Sequence, residues 1–459
     1  MLTPSWILGL FVFHHSSNPT SKMKKTIILW TLLLTFAQLV LGQDPIVSGP
    51  MVGYAGMREV MLWVQTNGAA QVQFEYSDGE NTFRTAIYTT NAPEAFTAHL
   101  IADQVKPGKD YTYKVFINGE EVARDYSLRF KTPPLWQWRE DPPEMKIALG
   151  SCVYVNDEVF DRPGNPYGGE YEIFTELNSE EPDMMLWLGD NTYLREADWY
   201  TRTGIIHRYT HTRALPEMQP LLASTSNYAI WDDHDYGPNN SDYTWINKDL
   251  TFEAFRLFWA NPTYGVSRDV TGAVTMFEWG DAQFFMLDNR YHRTPNDKVT
   301  SERTVLGEAQ LQWIVDALVS SSAKWKFVCI GGQVLNTVAQ FENYSYLAPQ
   351  EREFLIESIA REGIRNVVFL TGDRHHSELS MMERYGISIY DFTVSPLTSG
   401  SYNAEDEANE LRVAGSQVGI RNYGIIEITG ERTDRTLTLY LKDSKGEELW
   451  KYEIAEQKE

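Results

Sequence analysis

Met184-Met-Leu-Trp-Leu-Gly-Asp-Asn-Thr-Tyr193 constrains the fold of this chain more than any other stretch. Residues 184–188 are apolar without alternation, the pattern of a short strand buried on both faces of a sheet. The run stops at Gly189, and Asp190 follows where side chains leave the sheet. Ligands of open α/β sheets bind at the carboxyl ends of strands. The pattern recurs along the chain. Lys146-Ile-Ala-Leu-Gly-Ser-Cys152 ends on a thiol, and Tyr228-Ala-Ile-Trp-Asp-Asp-His-Asp-Tyr236 runs into consecutive ionisable residues. Ala282-Gln-Phe-Phe-Met-Leu-Asp-Asn-Arg290 ends in an acid, and residues 325–330 lead into Gly331-Gly-Gln333. Asn366-Val-Val-Phe-Leu-Thr-Gly-Asp-Arg-His-His376 closes the series. Helical patterns at 170–177, 251–260, 306–318 and 349–362 separate these runs, so residues 146–459 read as a layered α/β domain. Strands at 425–428 and 436–441 are expected to extend its sheet.

The 459 residues exceed one ordinary domain. Residues 43–134 carry short alternating strands at 60–64, 72–76, 96–100 and 111–116, punctuated by Gly and Pro turns. Val105-Lys-Pro-Gly-Lys-Asp-Tyr111 has the approach of a tyrosine corner, which points to a fibronectin type III-like or Ig-like β-sandwich. A stiff Pro-rich linker, 135–145, follows. Ahead of the sandwich, Met23-Lys-Lys and the apolar run 26–41 form an export signal with cleavage expected before Gln43, and residues 1–22 precede it. No Cys follows that run, which argues against a lipid anchor. The expectation is therefore an exported, periplasmic or extracellular protein, monomeric and without a membrane span once the signal leaves.

Formal net charge is −23, which disfavours stable binding to nucleic acid or anionic membranes. An anionic substrate would need local positive charge, and bound metal can provide it. Cys152 and Cys329 are the two cysteines. They make no disulfide framework, and Cys329 reads as core packing. The chain has no Gly-x-Ser-x-Gly elbow and no Walker loop, which turns the reading away from serine hydrolases and nucleotide-driven phosphoryl transfer.

If the strands are neighbours, Cys152, Asp190, Tyr193, Asp232, Asp233, His234, Asp235, Asp373, His375 and His376 gather at one edge. Thiolate, phenolate and imidazole suit ferric iron or zinc, whereas carboxylates suit calcium, magnesium or manganese. Two such sites sharing an Asp would form a two-metal centre able to clamp a phosphate and activate water.

The motifs Gly150-Ser-Cys152, Leu188-Gly-Asp-Asn-Thr-Tyr193, Trp231-Asp-Asp-His-Asp235, Leu287-Asp-Asn-Arg290 and Leu370-Thr-Gly-Asp-Arg-His375 stand in the order seen in PhoD-like phosphatases. The chain resembles that alkaline phosphatase D family, a branch of the metallophosphoesterases, over residues 146–397. The resemblance implies an α/β/β/α catalytic domain behind the sandwich, and hydrolysis of phosphate monoesters, diesters or both. Cys152 matches the family's thiolate ligand, Asp190 the bridging carboxylate, and Tyr193 the phenolate on an Fe3+ site. Asp233 matches a ligand of a second, Ca2+-like metal. Asp373 and His375 match ligands to each metal. His234 is implied as proton donor or phosphate-orienting group, with Asp232 as the second catalytic candidate. Zinc, manganese or magnesium remain alternative metals. Gln333 departs from the superfamily, which has a His at that point; this favours a harder, oxygen-bound cation.

Several further residues carry two readings each. Asp288 and Arg290 suggest a structural ion pair beneath the site. His99 reads as a strand or surface residue, and His207 with His211 as a helix face rather than a ligand pair. Asn239 or Asn240 is a candidate for a calcium shell. Residues 405–410 read as a solvated acidic loop. Trp199, Tyr200, Tyr236 and Trp245 are candidates to receive a base or lipid portion of the substrate. Two other functions fit the same motifs: a phosphodiesterase specialised for phospholipid or nucleic acid diesters, and a non-catalytic cell-surface binding protein.

Overall fold

This computed structural model describes residues 44–458; the expected export signal lies outside the described residues. Residues 46–459 form one compact unit, and its centre is a pair of facing six-stranded sheets. The first runs Ser226–Ile230, Met184–Leu188, Met145–Gly150, Asn422–Thr429, Thr436–Asp443, Glu448–Ala455. Its first three strands are parallel and the C-terminal three are added antiparallel. The second runs Thr275–Trp279, Ala282–Met286, Trp325–Cys329, Val367–Thr371, Ile387–Thr393, Glu378–Arg384, parallel through its middle and antiparallel at both edges.

The unbroken apolar runs now have a physical reason. Met184, Leu186 and Leu188 point into the space between the sheets and meet Phe284, Phe327 and Leu370. Met185 and Trp187 point outward against the Ile173–Ser179 and Lys248–Phe258 helices. The second sheet repeats this, with Phe285, Val328 and Phe369 covered by the helices Glu308–Ser320 and Pro349–Arg361. Four layers result, helix, sheet, sheet and helix. Both faces of each central strand are dry, so alternation is absent. Cys329 lies in the inter-sheet core, as expected, and both cysteines are free thiols. Among the described residues no helix is long and apolar enough to cross a membrane.

The N-terminal segment forms two small sheets. Ile46–Ala55, Val60–Thr66 and Thr97–Ala102 make one; Gln71–Ser77 and Asp110–Ile117 centre the other. Their inner faces share Val52, Leu62, Val64, Phe74 and Val115. The Lys106 amide donates to the Tyr111 hydroxyl at 2.9 Å, and Tyr111 stacks on Phe130 at 5.0 Å. These sheets are fastened to the α/β layers. The Trp63 indole donates to Leu257 O (2.8 Å), Tyr113 Oη to Ala223 O (2.8 Å), and Asn227 Nδ2 to Val52 O (3.0 Å). Buried Arg213 lies 3.7 Å above the Trp259 ring. The Pro-rich segment is docked as well, with Trp136 donating to Gly280 O at 3.0 Å. His99 sits on the Thr97–Ala102 strand, 3.3 Å from Trp259 O.

This fastening predicts one cooperative unfolding transition for the β and α/β parts together. Replacing fully buried Trp63 by Ala should destabilise that transition by about 3–5 kcal/mol. Scanning calorimetry of wild type and variant checks it; two separate transitions, with only the first shifted, would contradict it.

Candidate metal centre

The parallel strands present their carboxyl ends at one edge, and each delivers its motif there. Cys152 follows Met145–Gly150, Asp190 follows Met184–Leu188, and the 232–235 run follows Ser226–Ile230. Asn289 and Arg290 follow Ala282–Met286, and Asp373 with His375 follows Val367–Thr371. The chain turns sharply at these points. Cys152, Asp190, Asp373 and His375 all have positive φ, 62°, 52°, 68° and 55°. Side-chain-bearing residues adopt that region at a cost of order 1–3 kcal/mol each, and such strain gathers at functional sites. Gly189, at φ +95°, is obligatory, because a Cβ there would stand 2.8 Å from Asp232 Cβ.

Three groups of candidate ligands form, each with its ligand atoms within 4.8 Å of one another: Cys152, Asp190 and His375; Asp190, Asp233 and His234; Asp232, Asp233 and Asp373. Asp190 joins the first two groups and Asp233 the last two. Cys152 Sγ lies 3.7 Å from Asp190 Oδ2 and accepts from Ser395 Oγ at 3.2 Å. Tyr193 Oη is 3.1 Å from His375 Nε2, and its ring stacks on His234 at 4.3 Å. The His234 amide donates to Asp190 Oδ1 at 3.1 Å. Cys152, Asp190, Tyr193, Asp232, Asp233, His234, Asp373 and His375 thus stand within this one cluster. Asp232 is placed among the ligand candidates, facing Asp233 and Asp373.

The electrostatics fit bound cations. Burial, then the charges of Asp233 and Cys152, pushes Asp190 well above the usual carboxylate range. Burial and then Asp232 and Asp233 do the same to Asp373. Burial pushes the Cys152 thiol up to about 12. Burial also opposes the charge on Asp233, but His234 and Arg290 outweigh it and hold that carboxyl low. Asp232 Oδ2, Asp233 Oδ1, Asp235 Oδ1, Asn289 Oδ1 and His234 Nδ1 are buried and have no hydrogen-bond partner. Native proteins seldom leave buried acceptors unpaired, and so many together fit bound metal. A thiolate, phenolate and imidazole set beside an all-carboxylate set fits two cations of different hardness.

Of the residues with two readings, some resolve as expected and others do not. Asp288 does not pair with the Arg290 guanidinium; it accepts the backbone amides of Ala273, Arg290 and Tyr291. Arg290 is instead buried between Asp232 (2.5 Å) and Glu342 (2.7 Å), and Arg293 holds the other Glu342 oxygen at 2.6 Å. Gln333 has both amide ends committed, donating to Glu378 and Thr393 and accepting from Arg374 and Asn336. His376 is fully buried and faces no substrate. Asn240 reaches Asp233 through its backbone amide, at 2.6 Å. His207 and His211 hold Asp157 and Asn156 O rather than a metal. The acidic loop is not merely solvated: Glu407 binds Arg374 at 2.7 Å, and Asn409 is buried against Glu378.

Sequence reasoning also passed over Tyr167, whose hydroxyl lies 3.0 Å from His375 Nδ1. It sits on the 155–169 loop, which has no periodic pattern to flag it. A cavity of about 840 Å³ opens over Tyr193 and His234, walled by Tyr154, Tyr167, Arg195 and Trp199. Of the four aromatic candidates only Trp199 lines it. Tyr236 is wholly buried beside Trp231, while Tyr200 is exposed and packs on Trp245.

Facing sheets, outer helices and a ligand set at the carboxyl edge define a metallophosphoesterase-like α/β domain, and two solved structures share this fold. The structure of PhoD aligns with a TM-score of 0.73 at 18% identity, covering 91% of this chain and 93% of that one. Purple acid phosphatase PPD1 from yellow lupin (Lupinus luteus) seeds aligns with a TM-score of 0.65 at 12% identity, covering 89% and 74%. The profile of the PhoD-like phosphatases matches residues 151–437, and the chain belongs to that family. Residues 43–135 match a domain of unknown function, DUF7800. Alkaline phosphatase D of Bacillus subtilis (strain 168) is 25% identical over 372 residues, 69% of this chain. The chain spans 60% of the length of that curated relative.

Metal removal should therefore expose uncompensated buried charge. A ligand held at a hundred times its Kd contributes about 2.7 kcal/mol of stability. Dialysis against EDTA should lower the thermal midpoint by several degrees, and adding back calcium with ferric iron or zinc should restore it. An unchanged midpoint in protein shown to lose its metal would contradict the charge argument.

Proposed function

We propose that this protein is an exported, metal-dependent phosphoesterase hydrolysing phosphate monoesters, diesters or both, and that it works as a monomer. The convergence of Cys152, Asp190, Tyr193 and His375 beside Asp232, Asp233 and Asp373 carries the reading. Membership of the PhoD-like phosphatases and the phosphatase named as its relative support it. Ferric iron suits the thiolate–phenolate set and calcium the carboxylate set, by ligand softness. Bound cations supply Lewis acidity and lower the pKa of water to near neutrality.

The chain's own residues do the rest. Asp190 lies between the two ligand sets. Tyr193 and His375 close the thiolate side, while Tyr167 fixes the orientation of the His375 ring from its far nitrogen. Arg290 fixes Asp232. His234 lines the cavity, and its imidazole is the group proposed to protonate a leaving alcohol. Burial lowers the His234 pKa, with Asp233 opposing. The cavity has room for an ester carrying a sizeable organic portion.

Asp190→Ala should abolish hydrolysis of p-nitrophenyl phosphate and bis-p-nitrophenyl phosphate with the far-UV spectrum unchanged; wild-type turnover by the folded variant would sink the reading. His234→Gln should lower kcat about 100-fold or more on an alkyl phosphate, and far less on p-nitrophenyl phosphate, whose leaving group needs no proton. Equal losses on both would remove His234 as the acid. Export is supported by the 23–42 pattern, and N-terminal sequencing of material outside the cytoplasm should begin at Gln43. A chain retaining Met23 there would contradict cleavage.

A further inference from the structure

The cavity over the metal centre has a cationic residue that none of the family motifs includes. We propose that Arg195 is the phosphoryl-binding cation of this site and makes it select dianionic phosphate monoesters over monoanionic diesters; this rests on reading the cavity as a phosphate ester site. Among the described residues lining the cavity, Arg195 and Arg162 carry fixed positive charge. They differ in surroundings. Arg162 is 70% exposed and spends its charge on Glu196 at 2.7 Å. Arg195 has a side chain only 11% exposed, and its nearest carboxylate oxygen, Glu196 Oε2, stands 3.8 Å away, beyond hydrogen-bonding range. Its Nε is buried with no hydrogen-bond partner.

Arg208, with Nη2 also unpaired, is held by Asp198 and does not line the cavity, and two other buried arginines near the centre are spoken for. Arg290 is held by Asp232 and Glu342, and Arg374 by Glu407, Gln333 and Asn343. Arg195 therefore has unmet donor capacity, in a planar fork that matches phosphate oxygens.

Its backbone is fixed in advance. The Arg195 amide donates to Asp198 Oδ2 at 2.8 Å, and buried Arg208 holds the same oxygen at 2.9 Å. The amides of Asp198 and Trp199 return to Arg195 O at 2.8 and 3.2 Å. The guanidinium lies 5.9 Å from the centre of the Tyr154 ring, which packs on Tyr193, which stacks on His234. The guanidinium therefore lies on the cavity wall beside the Tyr154, Tyr193 and His234 rings, outside the ligand cluster. A monoester offers a further anionic oxygen to such a donor. In a diester that oxygen is esterified, so the same donor gains less.

The test compares wild type, Arg195→Gln, Arg195→Lys and, as a control outside the cavity, the exposed Arg361→Gln. Turnover is measured on p-nitrophenyl phosphate and bis-p-nitrophenyl phosphate, and binding of inorganic phosphate is measured by calorimetry on protein as purified with its metals. Arg195→Gln should lower kcat/KM for the monoester about 100-fold, the scale of losing one charge-stabilising donor, with a much smaller loss for the diester. Phosphate binding should weaken at least about tenfold, with metal content unchanged. Arg195→Lys should recover part of both, and Arg361→Gln should match wild type. Equal losses on the two esters, or undiminished phosphate binding, would overturn the assignment while leaving the phosphoesterase reading intact. Wild-type protein that binds phosphate through Arg195 yet hydrolyses neither ester would defeat the proposed function and keep the anion site. Neither binding nor turnover in wild type would remove both.

Discussion

Negative charge held out of water is the constraint on which the rest of this structure depends. Asp190, Asp232, Asp233, Asp235 and Asp373 lie together with Cys152 at the end of a dry two-sheet core, and buried Arg290 pairs with Asp232 at 2.5 Å and reaches Asp233 at 3.9 Å. Isolated ions of this kind cost several kcal/mol each to bury. Protonation relieves part of that cost, which is why Asp190 and Asp373 are driven so high without metal. Bound cations would relieve more of it and would use the orphaned oxygens as well. The fold therefore reads as a rigid frame around a charge deficit.

The frame achieves this through parallel strands. Three parallel strands in one sheet and four in the other bring their carboxyl ends to the same edge, so residues far apart in sequence meet without long connections. Left-handed turns at Cys152, Asp190, Asp373 and His375 then swing the side chains inward. Buried arginines fix the outer residues: Arg290 and Arg293 share Glu342, and Arg374 ties the loop at Glu407 to Gln333. A buried ion pair of this sort contributes more to geometry than to net stability.

The inner ring of the site was legible in the sequence because each member ends an apolar run, and a run buried on both faces leaves a clear signature. Two of the three C-terminal strands were legible, at 425–428 and 436–441; the edge strand Glu448–Ala455, exposed along most of its length, was not. What surrounds that ring was not. Tyr167 and Arg195 lie on loops without period, and their roles appear only when the chain folds back over Tyr193. Glu342 stands 52 residues from Arg290, in an irregular segment, so no local pattern links them. Gln333 was read as a weakened ligand position because a superfamily His belongs there; its hydrogen bonds show that it braces Glu378 and Arg374 instead. Short edge strands such as Glu378–Arg384 carry polar residues mid-strand and give no clean pattern.

The central claim is that paired cations compensate the buried acids and thiol. Diffraction from crystals of protein purified without chelators, with anomalous data collected at the edges of the candidate metals, tests it most directly. The account predicts anomalous peaks on both sides of the Asp190 carboxylate, one beside Cys152 Sγ and the other among Asp232, Asp233 and Asp373. Maps showing no metal within coordination reach of Asp190 or Cys152, with the side chains placed as described, would contradict it.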